Sequence, residues 1–102
     1  SCPAHSLTYG EIQIHFKNHC IVRNGSEVFL TPKEFSLFAL LLHNKGSALS
    51  RDRILEAIWG YDYTGETRTV DVHIQRLRRK LHLYGRLTTI PKLGYRLEDS
   101  AL

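Results

Sequence analysis

The sequence predicts an α+β domain. Three observations carry that reading. Apolar residues alternate with polar ones up to about residue 30. From there they recur with a helical period through three segments. The chain then closes on two short β-rich runs around a Pro-Lys-Leu-Gly turn.

Taken in order, residues 1–6 read as a linker remnant, 7–99 as one domain and 100–102 as a tail. Ile12, Ile14 and Phe16 alternate with Gln13 and His15, the pattern of a half-buried strand. Residues 20–22 and 27–29 flank Asn24-Gly25, a type I′ hairpin signal because both residues tolerate positive φ. Asn24-Gly25-Ser26 is also a glycosylation sequon, but nothing points to secretion, so it is read as a turn. Thr31-Pro32-Lys33-Glu34 is a capping box with proline at the first helical position. Phe35, Phe38, Ala39 and Leu42 make one stripe of the helix that follows, and Leu37, Leu40 and Leu41 widen it to a mostly buried element. Residues 44–46 end that helix and 47–49 form a short extended link. Ser50 caps a second helix with Asp52 in its first turn, Ile54, Leu55, Ile58 and Trp59 facing inward, and Gly60 stopping it. A polar loop over 60–66 leads into a third helix over 67–83, and residues 87–97 form a hairpin with a basic tip.

The third helix, TRTVDVHIQRLRRKLHL, organises the rest. At about 100° per residue, Val70, Ile74, Leu77 and Leu81 fall within roughly 60° of one another, a core-facing stripe. The opposite face carries Arg68, Thr69, Val72, Gln75, Arg76 and Arg79, with Arg78 and Lys80 on the flanks. An ordinary solvated face rarely exposes a valine among so many guanidinium groups. A face built for the DNA major groove has a use for both: arginines for phosphate and guanine, Val72 for a thymine methyl.

Length and charge agree with this. The 102 residues suit one domain with a modest core, and no apolar run approaches the ~20 residues of a membrane span. The chain contains no methionine, so a cut-out domain or a processed chain is expected rather than a complete primary translation product. Residues 1–67 hold six Lys/Arg and seven Asp/Glu, a net −1, whereas 68–102 hold eight and three, a net +5. Basic excess concentrated in the last third predicts a polyanionic partner. An acidic membrane would match the charge, but the helix lacks the broad apolar face of an interfacial anchor.

Motifs for catalysis and cofactors are missing. The sequence has no phosphate-binding glycine loop, no HExxH and no paired-cysteine zinc spacing. His15, His19 and Cys20 are close in sequence but read as a strand and its turn rather than metal ligands. No serine or cysteine is spaced with a histidine as a nucleophile and base, and His73 beside the core stripe reads as a packed helix residue. Neither an enzyme nor a cofactor protein is expected. Cys2 and Cys20 are expected as free thiols in a reducing cytoplasm.

The run RTVDVHIQRLRRKL, preceded by ILEAIWGYDY and followed by LGYRL, resembles the effector domain of OmpR/PhoB-type response regulators, from about residue 30 to 97. These are winged helix-turn-helix DNA-binding domains of bacterial two-component systems. The resemblance implies that Thr69, Val72 and Arg76 read bases and that Arg68, Arg78 and Arg79 contact or flank the DNA backbone. It further implies that Arg51, Trp59, Thr89 and Tyr95 stand on the phosphate side; by residue type alone, Trp59 reads as core, as an indole donor to phosphate or as both. The loop Gly60, Tyr61, Asp62, Tyr63, Thr64, Gly65 and Glu66 matches the segment that meets RNA polymerase. By the same resemblance an N-terminal receiver domain would precede this chain. The isolated fragment would be monomeric, and the full-length protein would dimerise on tandem DNA repeats when activated.

One departure concerns the hairpin. The family's wing commonly reads R-G-x-G-Y, with the arginine in the minor groove, whereas this chain has Pro91-Lys92-Leu93-Gly94-Tyr95. Pro91 supplies no guanidinium, and Lys92 is a flexible ammonium suited to neutralising a phosphate. The wing is therefore expected to add affinity more than specificity. Two other readings fit the sequence. One is a winged-helix protein-interaction module that has lost DNA contact, and the other is the same domain in a membrane-anchored one-component regulator.

Overall fold

The computed structural model describes residues 6–17, 19–60 and 66–99. Its order is β1 (Ser6–Tyr9), β2 (Ile12–His15), β3 (Cys20–Arg23), β4 (Ser26–Val28), α1 (Pro32–His43), β5 (Leu49–Ser50), α2 (Arg51–Trp59), α3 (Arg68–Leu81), β6 (Leu87–Ile90) and β7 (Gly94–Leu97). The α+β order and the three helices are as the sequence predicts. Residues 1–5 of the expected linker, the tail 100–102, Cys2 and the loop residues Tyr61, Asp62, Tyr63, Thr64 and Gly65 lie outside the described residues.

The first four strands form an antiparallel meander, β1-β2-β3-β4. Asn24 and Gly25 turn β3 into β4 with φ of 52° and 81°, the positive pair a type I′ turn demands. The inward side of the meander brings Ile12, Ile14 and Ile21, all at most 1% exposed, onto the helices. Thr31 caps α1 with both halves of the capping box formed: its Oγ1 accepts from the Glu34 N–H, and the Glu34 carboxylate accepts from the Thr31 N–H. Phe35, Leu37, Phe38, Leu41 and Leu42 of α1 are buried. This helix packs on both α2 and α3.

Two elements differ from expectation. The link before α2 is not merely extended. Leu49 and Ser50 pair with Tyr95 and Gly94, making β5 the edge of a second sheet ordered β5-β7-β6. Two residues carry no readable period, so this strand is visible only from its partner. The third helix is shorter than 67–83. It begins at Arg68 and ends at Leu81, and His82 takes the left-handed conformation with its N–H bonded to the Arg78 carbonyl. That turn lets Leu83 swing back into the core, where it is fully buried. Its apolar character continued the helical pattern by eye but serves the loop instead.

Long-range ties fix the meander against the rest. Tyr9 donates its hydroxyl to the Glu98 carbonyl at 2.7 Å. Glu11 accepts two hydrogen bonds from the Arg86 guanidinium, both 2.9 Å. Arg86 and then the backbone N–H of Glu11 itself hold the Glu11 carboxyl at about 2, below its ordinary 4.5. A carboxyl that binds its proton more weakly when folded stabilises the fold fully above the ordinary value, and the contribution disappears as pH falls toward the folded one. Glu11→Gln is therefore expected to destabilise the domain by a constant amount at neutral pH. Denaturation at a series of pH values should show the gap from wild type closing between about 4.5 and about 2. A gap independent of pH across that window would contradict the assignment.

Candidate nucleic-acid interface

The interface is built from α2, α3 and the β6–β7 hairpin. Ser50 starts α2 by accepting from the Arg53 N–H at 3.1 Å. Gly60 closes it at φ 97°, its N–H bonded to the Glu56 carbonyl. Lys33 of α1 reaches the carbonyl of Ile58 at 2.9 Å and lies 5.5 Å from the Trp59 ring centroid. His73 meets the same indole edge-on at 4.9 Å, with its Nδ1 donating to the Thr69 carbonyl at 2.8 Å. Trp59 is thus half-buried between α1 and α3, and His73 is a packed helix residue.

Helix α3 has two unlike faces. Val70, Ile74, Leu77 and Leu81 are fully buried. Arg68, Val72, Gln75, Arg76 and Arg79 are exposed, with Val72 at 41%, and Thr69 is half-buried beside them. Thr69, Val72 and Arg76 share one side of the helix at spacings of three and four. Among the described residues, Arg68, Arg76 and Arg79 form no ion pair, whereas Lys80 on the flank is bound at 2.7 Å to the buried carboxylate of Glu34. Burial alone would raise the Glu34 carboxyl, but the hydrogen bond from Lys80 and the capping N–H of Thr31 outweigh it and lower it. The sequence reading missed this pair, since its residues lie 46 positions apart.

The hairpin leans on α3 through a cluster around Tyr95. The Tyr95 hydroxyl donates to Oδ1 of Asp71, and Arg51 Nε donates to the same oxygen at 2.8 Å. The Arg51 and Arg78 guanidinium groups lie 5.6 and 5.7 Å from the Tyr95 ring centroid. Arg78 donates through Nε and Nη2 to the Leu87 carbonyl at 3.0 and 2.8 Å, and through Nη2 to the Thr89 hydroxyl oxygen at 2.8 Å. Burial pulls the Asp71 carboxyl upward, but the bonds from Tyr95 and Arg51 prevail and lower it. The Tyr95 hydroxyl is raised by burial and by that same carboxylate.

The structure therefore divides the sequence-derived candidates. Arg51, Arg78, Thr89 and Tyr95 converge on one cluster, in which Tyr95 is 4% exposed and commits its hydroxyl proton to Asp71. Arg68, Thr69, Val72, Arg76 and Arg79 lie along α3, and Trp59 sits apart from the Tyr95 cluster against His73. Lys92 occupies the hairpin tip, exposed, at φ 66°. Of the loop, only Gly60 and Glu66 are described, both exposed. Asp71 and Gly94 were not singled out by sequence. A Cβ at Gly94 would stand 2.0 Å from the Leu49 carbonyl oxygen, so only glycine lets β5 and β7 approach. Among the described residues, no group of three or more His, Cys, Asp and Glu is placed to hold a metal.

Residues 25–97 match the family described as transcriptional regulatory protein, C terminal. The chain belongs to this family, in the OmpR/PhoB branch that its recognition-helix motif resembles. It is 42% identical over 92 residues to the transcriptional regulatory protein CseB of Streptomyces avermitilis, covering 90% of this chain and 39% of CseB. It is 47% identical over 99 residues to the alkaline phosphatase synthesis transcriptional regulatory protein PhoP of Bacillus subtilis, covering 91% and 40%. This effector domain thus spans about two fifths of those regulators. Its fold matches the DNA-binding domain of Klebsiella pneumoniae RstA, solved in complex with the RstA box, with a TM-score of 0.82, 30% identity and coverage of 91% and 96%. The DNA-binding domain of Bacillus subtilis CssR matches with a TM-score of 0.78, 39% identity and coverage of 84% and 98%. The winged helix-turn-helix architecture follows from both the topology and these neighbours, with α3 as the second helix of the motif and β6–β7 as the wing.

Proposed function

We propose that this domain binds double-stranded DNA sequence-specifically, as the effector part of a two-component response regulator that controls transcription in the bacterial cytoplasm. The observation that carries this is the outer face of α3: exposed Arg68, Arg76 and Arg79, without ion pairs among the described residues, around an exposed Val72. A helix fits the major groove, where bidentate arginine reads guanine and an apolar side chain meets the thymine methyl. Thr69, Val72 and Arg76 face the bases in this reading. Arg51, Trp59, Arg68, Arg78, Arg79, Thr89, Lys92 and Tyr95 line or brace the backbone side. The similarity to the RstA DNA-binding domain, solved in complex with the RstA box, supports it. Among the described residues no helix is long and apolar enough to cross a membrane.

In the intact protein, a receiver domain precedes this one and drives dimerisation on tandem repeats, and residues 60–66 contact RNA polymerase. The support for the last point is the family resemblance of that loop and its two tyrosines, since aromatic side chains on a connecting loop suit a protein contact. Substituting Asp62 and Tyr63 in the full-length regulator should leave operator binding intact while lowering transcription. Parallel loss of both would reject a separate activating role.

Selection of bound duplexes from a random pool tests the main reading, and enrichment of no common sequence would reject it. On the selected site, Arg76→Ala is expected to cost about 1–3 kcal/mol and to relax preference at one base pair. Arg79→Ala should weaken selected and random duplexes by similar factors. Equal loss on both kinds of DNA for Arg76→Ala would remove it from the base-reading set.

A further inference from the structure

We infer that Asp71 is a positioning residue, a single carboxylate on α3 that sets the angle of the wing and aims Arg51 at the DNA backbone. It collects donors from two other elements, Arg51 at the start of α2 and Tyr95 in β7, on one oxygen. Its side chain is 37% exposed, so the ion pair itself adds little stability. A partly exposed carboxylate on a face that meets phosphates also repels them. Both facts leave geometry as its contribution.

The helix spacing shows how that geometry works. Asp71 and Arg78 are seven residues apart, two turns, and so lie on one strip of α3 separated by about 10 Å along its axis. Asp71 holds the Tyr95 hydroxyl at one end of the strip. Arg78 lies against the Tyr95 ring and grips the Leu87 carbonyl and Thr89 of β6 at the other. Two points of attachment define an angle where one would leave a pivot. Lys92 at the wing tip is three residues from Tyr95, so it moves with that ring. The Arg51 side of the cluster is tied in as well, because the Arg51 N–H bonds to the Leu93 carbonyl at 3.2 Å and β5 pairs with β7 immediately before it.

The wing part of this inference stands on the free domain, and the DNA part rests on the function proposed above, so the test has two arms. The first is amide hydrogen exchange without DNA. Asp71→Ala should speed exchange in β6 and β7 by about tenfold or more relative to α1. Asp71→Asn keeps an oxygen acceptor for the Tyr95 hydroxyl and should restore part of the protection. Unchanged wing protection in Asp71→Ala, or an equal loss in every element for both variants, would overturn the inference. The second arm compares Lys92→Ala in wild type and in Asp71→Ala by salt titration on a random duplex. In wild type the log–log slope should become shallower by about one unit, the signature of one lost phosphate contact. In Asp71→Ala the change should be smaller, because the tip is no longer held at the backbone. The same slope change in both backgrounds would overturn the positioning role. A wild-type domain showing no salt-dependent duplex binding would reject the proposed function instead, and the exchange arm would still decide for or against Asp71.

Discussion

Four side chains set the orientation of everything that faces outward. Val70, Ile74, Leu77 and Leu81 are fully buried along one side of α3, and they fix the rotation of that helix about its own axis. A slip of one residue would turn the helix by about 100° and carry Val72 and Arg76 off the exposed face. Truncating one such leucine costs about 2–5 kcal/mol, against a total stability of about 5–15 kcal/mol for domains of this kind. Core packing and the presentation of the outer face are therefore one constraint. Helices α1 and α2 supply the wall against which the stripe packs.

Charge is distributed on the same plan. Arg86 is neutralised by Glu11, Arg96 by Glu98, Lys80 by Glu34 and Arg51 by Asp71, and each of these pairs joins or braces parts of the scaffold. Arg78 spends its donors on the hairpin backbone and Thr89. Arg68, Arg76 and Arg79 have no such partners among the described residues and stand on one helix. Like charges without ion-pair partners repel in the free domain, and a polyanion relieves that repulsion on binding. The paired arginines hold the shape and the unpaired ones are available to a ligand.

Local signals in the sequence were enough for most of the elements and for both faces of α3. Thr31 with Glu34, Ser50, Asn24-Gly25 and the stripe from Val70 to Leu81 each act within a few residues, so spacing and residue type reveal them. What stayed hidden depends on residues far apart in the chain. Glu34 reads as a capping residue and nothing near it announces Lys80. Nothing near Asp71 announces its partners Arg51 and Tyr95, which lie 20 and 24 positions away. Strand β5 is two residues long and exists because β7 pairs with it, which in turn needs Gly94. The end of α3 was misread because Leu83 continues an apolar pattern that a left-handed His82 redirects into the core. Tyr95 and Arg78 were legible as site residues by resemblance, but not as the inward-bonded members of a cluster.

With α3 in the major groove, the thymine methyl group gives the most direct test because it projects only there. A selected duplex can be scanned by replacing each thymine with uracil, which removes that methyl and leaves base pairing intact. Binding would be measured with wild type and with Val72→Ala. At one or more positions uracil should weaken the wild-type domain but have no further effect on Val72→Ala, since the same contact is already gone. Indifference of the wild type to uracil at every position, or equal losses for both proteins wherever a loss occurs, would contradict the placement of Val72 in the groove.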